Sequence, residues 1–356
     1  MCTEEPALRV KLFKSDREFE TAAEETVLDG ALRAGLTMPH RCLGGNCGEC
    51  RARLLEGEVS YRNGRPLGLA DAETADGLVL LCQAHARSDL VLETFEPGMA
   101  GALQVKRLPS RVERIERLSH DVMGLYLRLP PAESFDFKPG QYLDVLLPKG
   151  RRRSFSIASP PHDARPLELH VRRAPGGEFS EQVFVEDMRG AVLHLEGPLG
   201  SSIYRETASG EVPPMLLIGG GTGIAPLKSI LRHVLENGLP RRMTLYWGVR
   251  TERDLYAHAF LEEAARHDAR LRYVPVLSEP SAAWEGRRGL VHEAVLADID
   301  RLADHEIYVS GPPQMIDAVR RELTRRGVPE SAMSFDSFDY APDSAARQRM
   351  RADTRS

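Results

Sequence analysis

Four cysteines stand in a pattern that can hold metal. Cys42, Cys47 and Cys50 form C-x4-C-x2-C in "RCLGGNCGEC", and Cys82 follows in "LLCQAHA". Two irons bridged by two sulfides need four thiolates, and one short loop can present three of them from one side, so this is the ligand spacing of a [2Fe-2S] cluster. Gly44, Gly45 and Gly48 allow positive φ and close approach, so that backbone N–H groups can point at the sulfurs. The competing readings are a zinc site or a cysteine-rich loop holding nothing. Structural zinc usually takes its ligands from two paired knuckles, whereas the fourth cysteine here stands alone. Cys2, the fifth cysteine, lies in the terminal segment and takes no part.

Two further stretches could meet a nucleotide. "GGGTGIAP", residues 219–226, follows the apolar run "MLLI" and opens an amphipathic segment. Glycines at that place let a pyrophosphate lie against N–H groups at the start of a helix, which makes Gly220, Gly221, Thr222 and Gly223 candidate contacts. It is not the G-x-G-x-x-G fingerprint, and a bare glycine run after a strand can be a simple turn. Arg153, Ser154, Phe155 and Ser156 form "RSFS"; a guanidinium can grip two phosphate oxygens with its planar fork. Alone, that tetrapeptide is more often an ordinary strand edge.

These residues need elements to hold them. Around the cysteines, "LRVKLF" alternates like a strand, "ETVLDGALRAG" carries Val27, Leu28, Ala31 and Leu32 on one helical stripe, "CRARLLEGEV" leaves the loop as a strand, and "LLCQAHARSDLVLE" places Cys82 on a strand followed by another. From residue 108, six short runs broken by Pro and Gly turns predict an antiparallel β-barrel: "RVERIERLS", "VMGLYLRLP", "QYLDVLLP", "SFSIAS", "LELHVRR" and "AVLHLEGP". From 213 the rhythm changes to strands alternating with helices, which predicts an α/β parallel sheet covered on both faces, with ligands beyond the carboxyl ends of its strands. The expected organisation is a multidomain chain: an α+β cysteine domain at 7–95, a linker at 96–107, the barrel at 108–210, the α/β domain at 211–338 and a polar, disordered tail at 339–356.

Composition sets the outer bounds. The 356 residues suit two or three domains of about 100–150 residues. No stretch approaches the roughly 20 apolar residues of a membrane span, and the N-terminus lacks the apolar run of a signal peptide. A cytoplasmic monomer without a membrane partner is expected, with cysteines serving as ligands rather than disulfides. The formal net charge of −5 argues against a general nucleic-acid binder.

Residues 7–95 resemble a plant-type ferredoxin, which implies a β-grasp fold. "PGQY" with "RSFS" resembles the flavin motif R-x-Y-S of the ferredoxin–NADP reductase superfamily. That resemblance implies FAD, with Arg153 on its pyrophosphate, Phe155 (in place of the usual Tyr) beside the isoalloxazine and Ser156 hydrogen-bonded near flavin N5. It further implies backbone contacts from the strand of His170, Val171 and Arg172, and a turn at Gly177 and Ser180 opening a helix whose amides meet the pyrophosphate. "GGGTGIAP" resembles the superfamily's NAD(P)H site. "YVSGPPQM" resembles its C-G-P-x-x-M segment, with Gly311 and Pro312 retained and Ser310 where Cys is frequent, close to the place of hydride passage. Phe338, in the terminal acidic and aromatic segment, would cover the flavin. Ser156, Ser310 and Phe338 are thus the catalytic candidates.

After the second parallel strand, Arg250 or Arg253 could meet a 2′-phosphate, yet Glu252 and Asp254 would repel it and could hold a 2′-hydroxyl. NADH is favoured, with NADPH the alternative. The whole arrangement resembles the reductase components of multicomponent oxygenases and, in "LELHVR" and "VHEAVLADI", the CDP-6-deoxy-glucoseen reductase group. Both imply electron transfer from NAD(P)H through FAD and the cluster to a partner protein, an oxygenase or, alternatively, an iron–sulfur sugar dehydrase. A non-enzymatic iron–sulfur carrier with decayed nucleotide sites is the rival of another class, and the intact glycine run stands against it.

Overall fold

The computed structural model describes residues 7–338 apart from 14, 16, 23, 37, 41–44, 46, 47, 49, 63, 67, 70, 95–104, 175, 201, 207–211, 330 and 331. Cys2, Cys42, Cys47, Gly44, most of the expected linker and the 339–356 tail lie outside the described residues. The described parts of Met1–Val105 form one compact unit and those of Lys106–Phe338 a second.

The first unit contains strands β1 (Leu8–Leu12) and β2 (Glu18–Thr21), helix α1 (Val27–Arg33), β3 (Arg51–Glu56), β4 (Val59–Ser60), helix α2 (Asp71–Ala75), β5 (Leu78–Leu80), β6 (His85–Ala86) and β7 (Leu90–Thr94). Its five-stranded sheet runs β2-β1-β7-β3-β5, with β1 parallel to β7 and the other pairs antiparallel. Helix α1 starts where Thr26 accepts a bond from the Asp29 amide, satisfying a donor that a helix end leaves without a partner. Val27, Leu28 and Ala31 are fully buried and Leu32 packs beside them, the stripe its spacing predicts. One strand expectation fails: Cys82 sits in the turn after β5. The reason is local, because Gln83 and Ala84 both donate their amides back to Leu80 and close the chain on itself.

The second unit holds two layers of architecture. Strands β8 (Lys106–Arg117), β9 (Val122–Arg128), β10 (Tyr142–Leu146), β11 (Arg152–Ser156), β12 (Leu167–Arg172) and, after helix α3 (Glu178–Val185), β13 (Val192–Leu199) make an antiparallel sheet of order β11-β10-β13-β8-β9-β12. An Ile157–Leu169 bridge and the Ala158 amide on the Glu168 carbonyl (2.8 Å) join its two edges into a barrel. Leu125, Leu127, Leu143, Val145 and Leu169 fill the interior, and Phe179 and Val183 of α3 pack onto it.

Beyond the barrel come β14 (Met215–Gly220), α4 (Ile224–Glu236), β15 (Met243–Val249), α5 (His258–His267), β16 (Leu271–Leu277), β17 (Arg287–Arg288), α6 (Val291–Asp298), β18 (Glu306–Gly311), α7 (Pro313–Arg325) and β19 (Met333–Ser337). All six strands are parallel, ordered β17-β16-β15-β14-β18-β19. Residues of α4 and α5 cover one face and residues of α6 and α7 the other, so Met215, Leu216, Leu217 and Ile218 are all fully buried. The chain winds outward from β14 to β17 and then returns to the far side of β14, which opens a crevice where β14 and β18 end. No helix among the described residues is long and apolar enough to cross a membrane.

Candidate functional site

In the first unit, Cys50 and Cys82 are 2% and 5% exposed, and the Cys82 amide points at Cys50 Sγ across 3.4 Å. Gly45 has φ +81°, and a Cβ there would come within 2.8 Å of Gln83 and of Pro66, so the loop closes only around glycine. Burial pushes the hydroxyl of Tyr61 up, helped by the nearby Cys50 and Cys82; that hydroxyl accepts the Leu80 amide. Adjacent buried thiols, an amide aimed at sulfur and a tight cradle suit a [2Fe-2S] cluster. The described residues bring together two of the four candidate ligands.

In the barrel, β11 carries the flavin candidates. Arg153 is partly exposed and folds one guanidinium nitrogen onto the Arg152 carbonyl (2.8 Å). Ser154 donates to Asp144 (2.6 Å), and Phe155 packs against Phe179 with ring centroids 5.6 Å apart. Arg152, the neighbour that sequence reasoning passed over, is the structural cation: it pairs with Glu196 and Asp144 inside the sheet. At α3, Gly177 occupies the cap and no side chain caps the helix. The Ser180 hydroxyl accepts the Ala174 amide (3.0 Å) and donates to the Gly177 carbonyl (3.1 Å), so it shapes the turn. The first-turn carboxylates are countered, Glu178 by Arg151 and Glu181 by Arg173. An uncapped helix start with an arginine on the neighbouring strand fits a diphosphate.

The glycine run lies where the crevice opens. Gly220 ends β14, Gly221–Gly223 form a 3-10 turn and Ile224 begins α4. A Cβ on Gly223 would stand 2.0 Å from the Ser310 carbonyl oxygen, and one on Gly220 would meet Met315 Sδ at 2.5 Å and Pro312 Cδ at 3.0 Å. Glycine is therefore required by the approach of β18, and Gly311 and Pro312 are held against the turn. These contacts form the bare backbone cradle that a dinucleotide pyrophosphate needs. The Phe338 amide donates to the Gly311 carbonyl (2.9 Å), which sets Phe338 at the same edge.

One carboxylate joins the candidates on both sheets. Asp336, 2% exposed on β19, accepts from Ser310 Oγ at 3.1 Å and from Ser156 Oγ at 3.5 Å. The two serines thus meet across the barrel and the parallel sheet through a residue that was read only as part of an acidic segment. Its signal in the sequence is slight, an acid beside Phe335 in the short run "MSFDS" that forms β19.

A second junction has no counterpart in the sequence reading. The His170 ring is buried, with Nε2 3.0 Å from Glu168 Oε1 and Nδ1 3.0 Å from the Tyr256 hydroxyl. A carboxylate only accepts, so Nε2 donates to Glu168 and Nδ1 accepts from Tyr256. Lys228 of α4 reaches the same carboxylate at 2.7 and 2.8 Å. Burial would raise the Glu168 carboxyl, but the His170 bond and the Lys228 charge outweigh it and bring it to about 2. Burial holds His170 neutral by lowering it and pushes Tyr256 well above the ordinary phenol range. Tyr256 stands edge-on to Trp247 (5.3 Å), whose Nε1 donates to the Gly221 carbonyl (2.9 Å). Val171 faces the barrel core, and Arg172 donates to Asp121 (2.8 Å) while one of its nitrogens lies 3.1 Å from where a Gly221 Cβ would be.

After β15 the four candidates separate by role. Asp254 accepts the amide and hydroxyl of Thr251 (2.9 and 2.8 Å), and Glu252 accepts the amide and hydroxyl of Ser281 (2.9 and 2.6 Å). The Ser281 bonds hold the Glu252 carboxyl below its usual range. Arg250 and Arg253 are exposed.

A barrel carrying an arginine strand, set against a parallel sheet whose glycine turn faces it, defines a flavin- and nicotinamide-dependent oxidoreductase, here joined in one chain to an iron–sulfur domain. Three family models match in that order: a 2Fe-2S iron-sulfur cluster binding domain over residues 10–87, an oxidoreductase FAD-binding domain over 109–204 and an oxidoreductase NAD-binding domain over 217–321. The CDP-6-deoxy-L-threo-D-glycero-4-hexulose-3-dehydrase reductase of Yersinia pestis is 34% identical over 332 residues, 93% of this chain and 98% of that protein. The reductase component of propane 2-monooxygenase from Mycolicibacterium goodii is 33% identical over 332 residues, 91% and 94% of the two chains. The crystal structure of the Amycolatopsis cytochrome P450 reductase GcoB superposes with a TM-score of 0.73 at 32% identity, covering 94% of this chain and 99% of that one. The chain belongs to the family of iron–sulfur flavoprotein reductases, and it is an oxidoreductase that passes electrons from NAD(P)H by way of FAD and a [2Fe-2S] cluster.

Proposed function

We propose that the acceptor is a separate protein, an oxygenase component, and that NADH is the donor. The acceptor reading is supported by the oxygenase reductase relatives, and reduction of flavin by the nicotinamide is supported by the meeting of Ser156, Asp336 and Ser310, which brings the candidate flavin strand of the barrel to the carboxyl edge of the parallel sheet. When bound, FAD accepts electrons in pairs and releases them singly, and the cluster takes them one at a time. The chain's own residues do the positioning. Arg153 and the α3 start would hold the flavin diphosphate, Gly220, Gly221, Thr222 and Gly223 would hold that of the nicotinamide dinucleotide, and Ser156, Ser310 and Phe338 would line the place where the rings meet. His170 and Val171 serve through the backbone of β12. Cys42, Cys47, Cys50 and Cys82 would ligate the cluster.

Preference for NADH is supported by Glu252 and Asp254, whose carboxylates are pinned beyond β15 and present negative charge where a 2′-phosphate would sit. The Yersinia relative favours a second reading, an iron–sulfur dehydrase as acceptor. We further propose a cytoplasmic monomer that binds neither nucleic acid nor membrane, from the net charge and the reduced thiols that a cluster requires.

Purified under anaerobic conditions, the protein is expected to show flavin and cluster absorbance that NADH bleaches more readily than NADPH does. Absorbance that neither nicotinamide changes would overturn the reductase reading. Electron delivery to a purified oxygenase component against delivery to a dehydrase decides between the two acceptors.

A further inference from the structure

The junction centred on Glu168 is larger than contact between two domains requires. Lys228 lies five residues after Gly223, on the helix that the glycine turn opens, and it is 16% exposed against a carboxylate that is 8% exposed. Glu168 and His170 come from the strand whose backbone is the candidate flavin edge. A second route leaves the same strand through Tyr256 and Trp247 and ends on the Gly221 carbonyl inside the turn itself. The turn is thus held to β12 at both ends, by an ion pair through α4 and by an aromatic stack through Gly221. Lys228 also stands over the Phe260 ring, its ammonium 5.4 Å from the centroid. Tyr126 adds a longer bond to Glu168 (3.4 Å), and Arg172, one residue beyond Val171, is drawn away to Asp121.

Buried ion pairs seldom stabilise a fold beyond what apolar residues would, so one retained at this place invites a reading in terms of geometry. Reaction between two stacked rings depends steeply on their alignment, and an error of about 1 Å costs on the order of a hundredfold in rate. We propose that the side chains of Lys228, Glu168, His170 and Tyr256 act as positioning groups for nicotinamide-driven flavin reduction: they register the glycine turn against the flavin strand rather than acting on either cofactor. This rests on the reading that NADH reduces the flavin in this unit.

The test uses the full chain loaded with FAD and cluster. Three changes are compared: Tyr256→Phe, which removes one hydroxyl and keeps the ring; Lys228→Met with Glu168→Gln, which removes the pair without stranding a buried charge; and Lys228→Arg, which keeps the charge. For each protein the FAD content, the flavin midpoint potential, the limiting rate of flavin reduction by NADH in stopped flow, and amide hydrogen exchange over residues 217–230 without nicotinamide are measured. The proposal expects FAD content and potential to stay at wild-type values. The limiting rate should fall by about tenfold or more in the first two proteins, exchange over 217–230 should quicken while α7 is unchanged, and Lys228→Arg should recover most of the rate. Wild-type exchange and rate in both Tyr256→Phe and the double variant would overturn it, as would a loss of rate that merely follows a loss of FAD. If wild-type protein is not bleached by NADH, the reading beneath the proposal has failed. The exchange arm then still decides whether these residues hold the turn.

Discussion

At the scale of single residues, two departures from the superfamily pattern turn out to be structurally quiet. Phe155 lacks the usual hydroxyl, yet its ring packs on Phe179 and is held by the barrel core. Ser310 replaces a thiol by a hydroxyl and uses it to donate to Asp336, a bond that Ser156 shares. The cluster candidates can be tested at the same scale. Cys82→Ser should leave NADH-driven reduction of a small dye in place, since that needs only the second unit, and should abolish reduction of cytochrome c. Cytochrome c reduction at the wild-type rate would show that electrons leave by another port. Cysteine spacing is legible because a four-thiolate site imposes it. Asp336 was harder to pick out, since a buried acid on a short edge strand has meaning only once the serines from two other strands are placed around it.

At the scale of elements, the six barrel strands were readable because antiparallel strands show alternation, and β14 was readable as an unbroken apolar run because helices cover both its faces. Glu168 and His170 were not. In "LELHVR" both occupy the polar phase of the alternation, which predicts a solvent face, and here α4 and Tyr256 cover that face. Lys228 likewise breaks a buried helical run that includes Leu227 and Ile230. Two predictions belong here. Gly223→Ala puts a methyl group into the Ser310 carbonyl, so overpacking should cost about 1–3 kcal/mol and weaken nicotinamide binding while FAD content is kept; calorimetry and NADH titration check both. The Glu168 carboxyl is depressed to about 2 from 4.5, so its contribution is fully present above about pH 4.5 and is lost as pH falls towards 2. Glu168→Gln should therefore be less stable than wild type at neutral pH, and the gap should narrow as pH falls below about 4.5 in denaturation midpoints.

At the scale of the molecule, the division into two units has an energetic meaning. Glu168 closes the barrel seam with its carbonyl and binds the parallel sheet with its carboxylate. Barrel and sheet are further tied by Ser229, whose hydroxyl donates to the Ser159 carbonyl (2.8 Å), and by Arg232 on Asp163 (2.7 Å). Residues 106–338 should accordingly unfold in one cooperative transition although they hold two folds, and the cysteine unit in another. Differential scanning calorimetry that resolves separate barrel and sheet transitions would contradict this.

The pinned carboxylates after β15 bear on how such a chain could change its diet of reductant. Glu252 anchors the segment that begins at Ser281, whose carbonyl and those of Ala282 and Trp284 receive Arg288, and on the proposed preference for NADH it would also repel a 2′-phosphate. Replacing it by a cation would remove that repulsion and at the same time release the loop beside it. On that proposal, cofactor choice would be bound up with loop stability, and a shift to NADPH would call for a paired change that re-anchors Ser281.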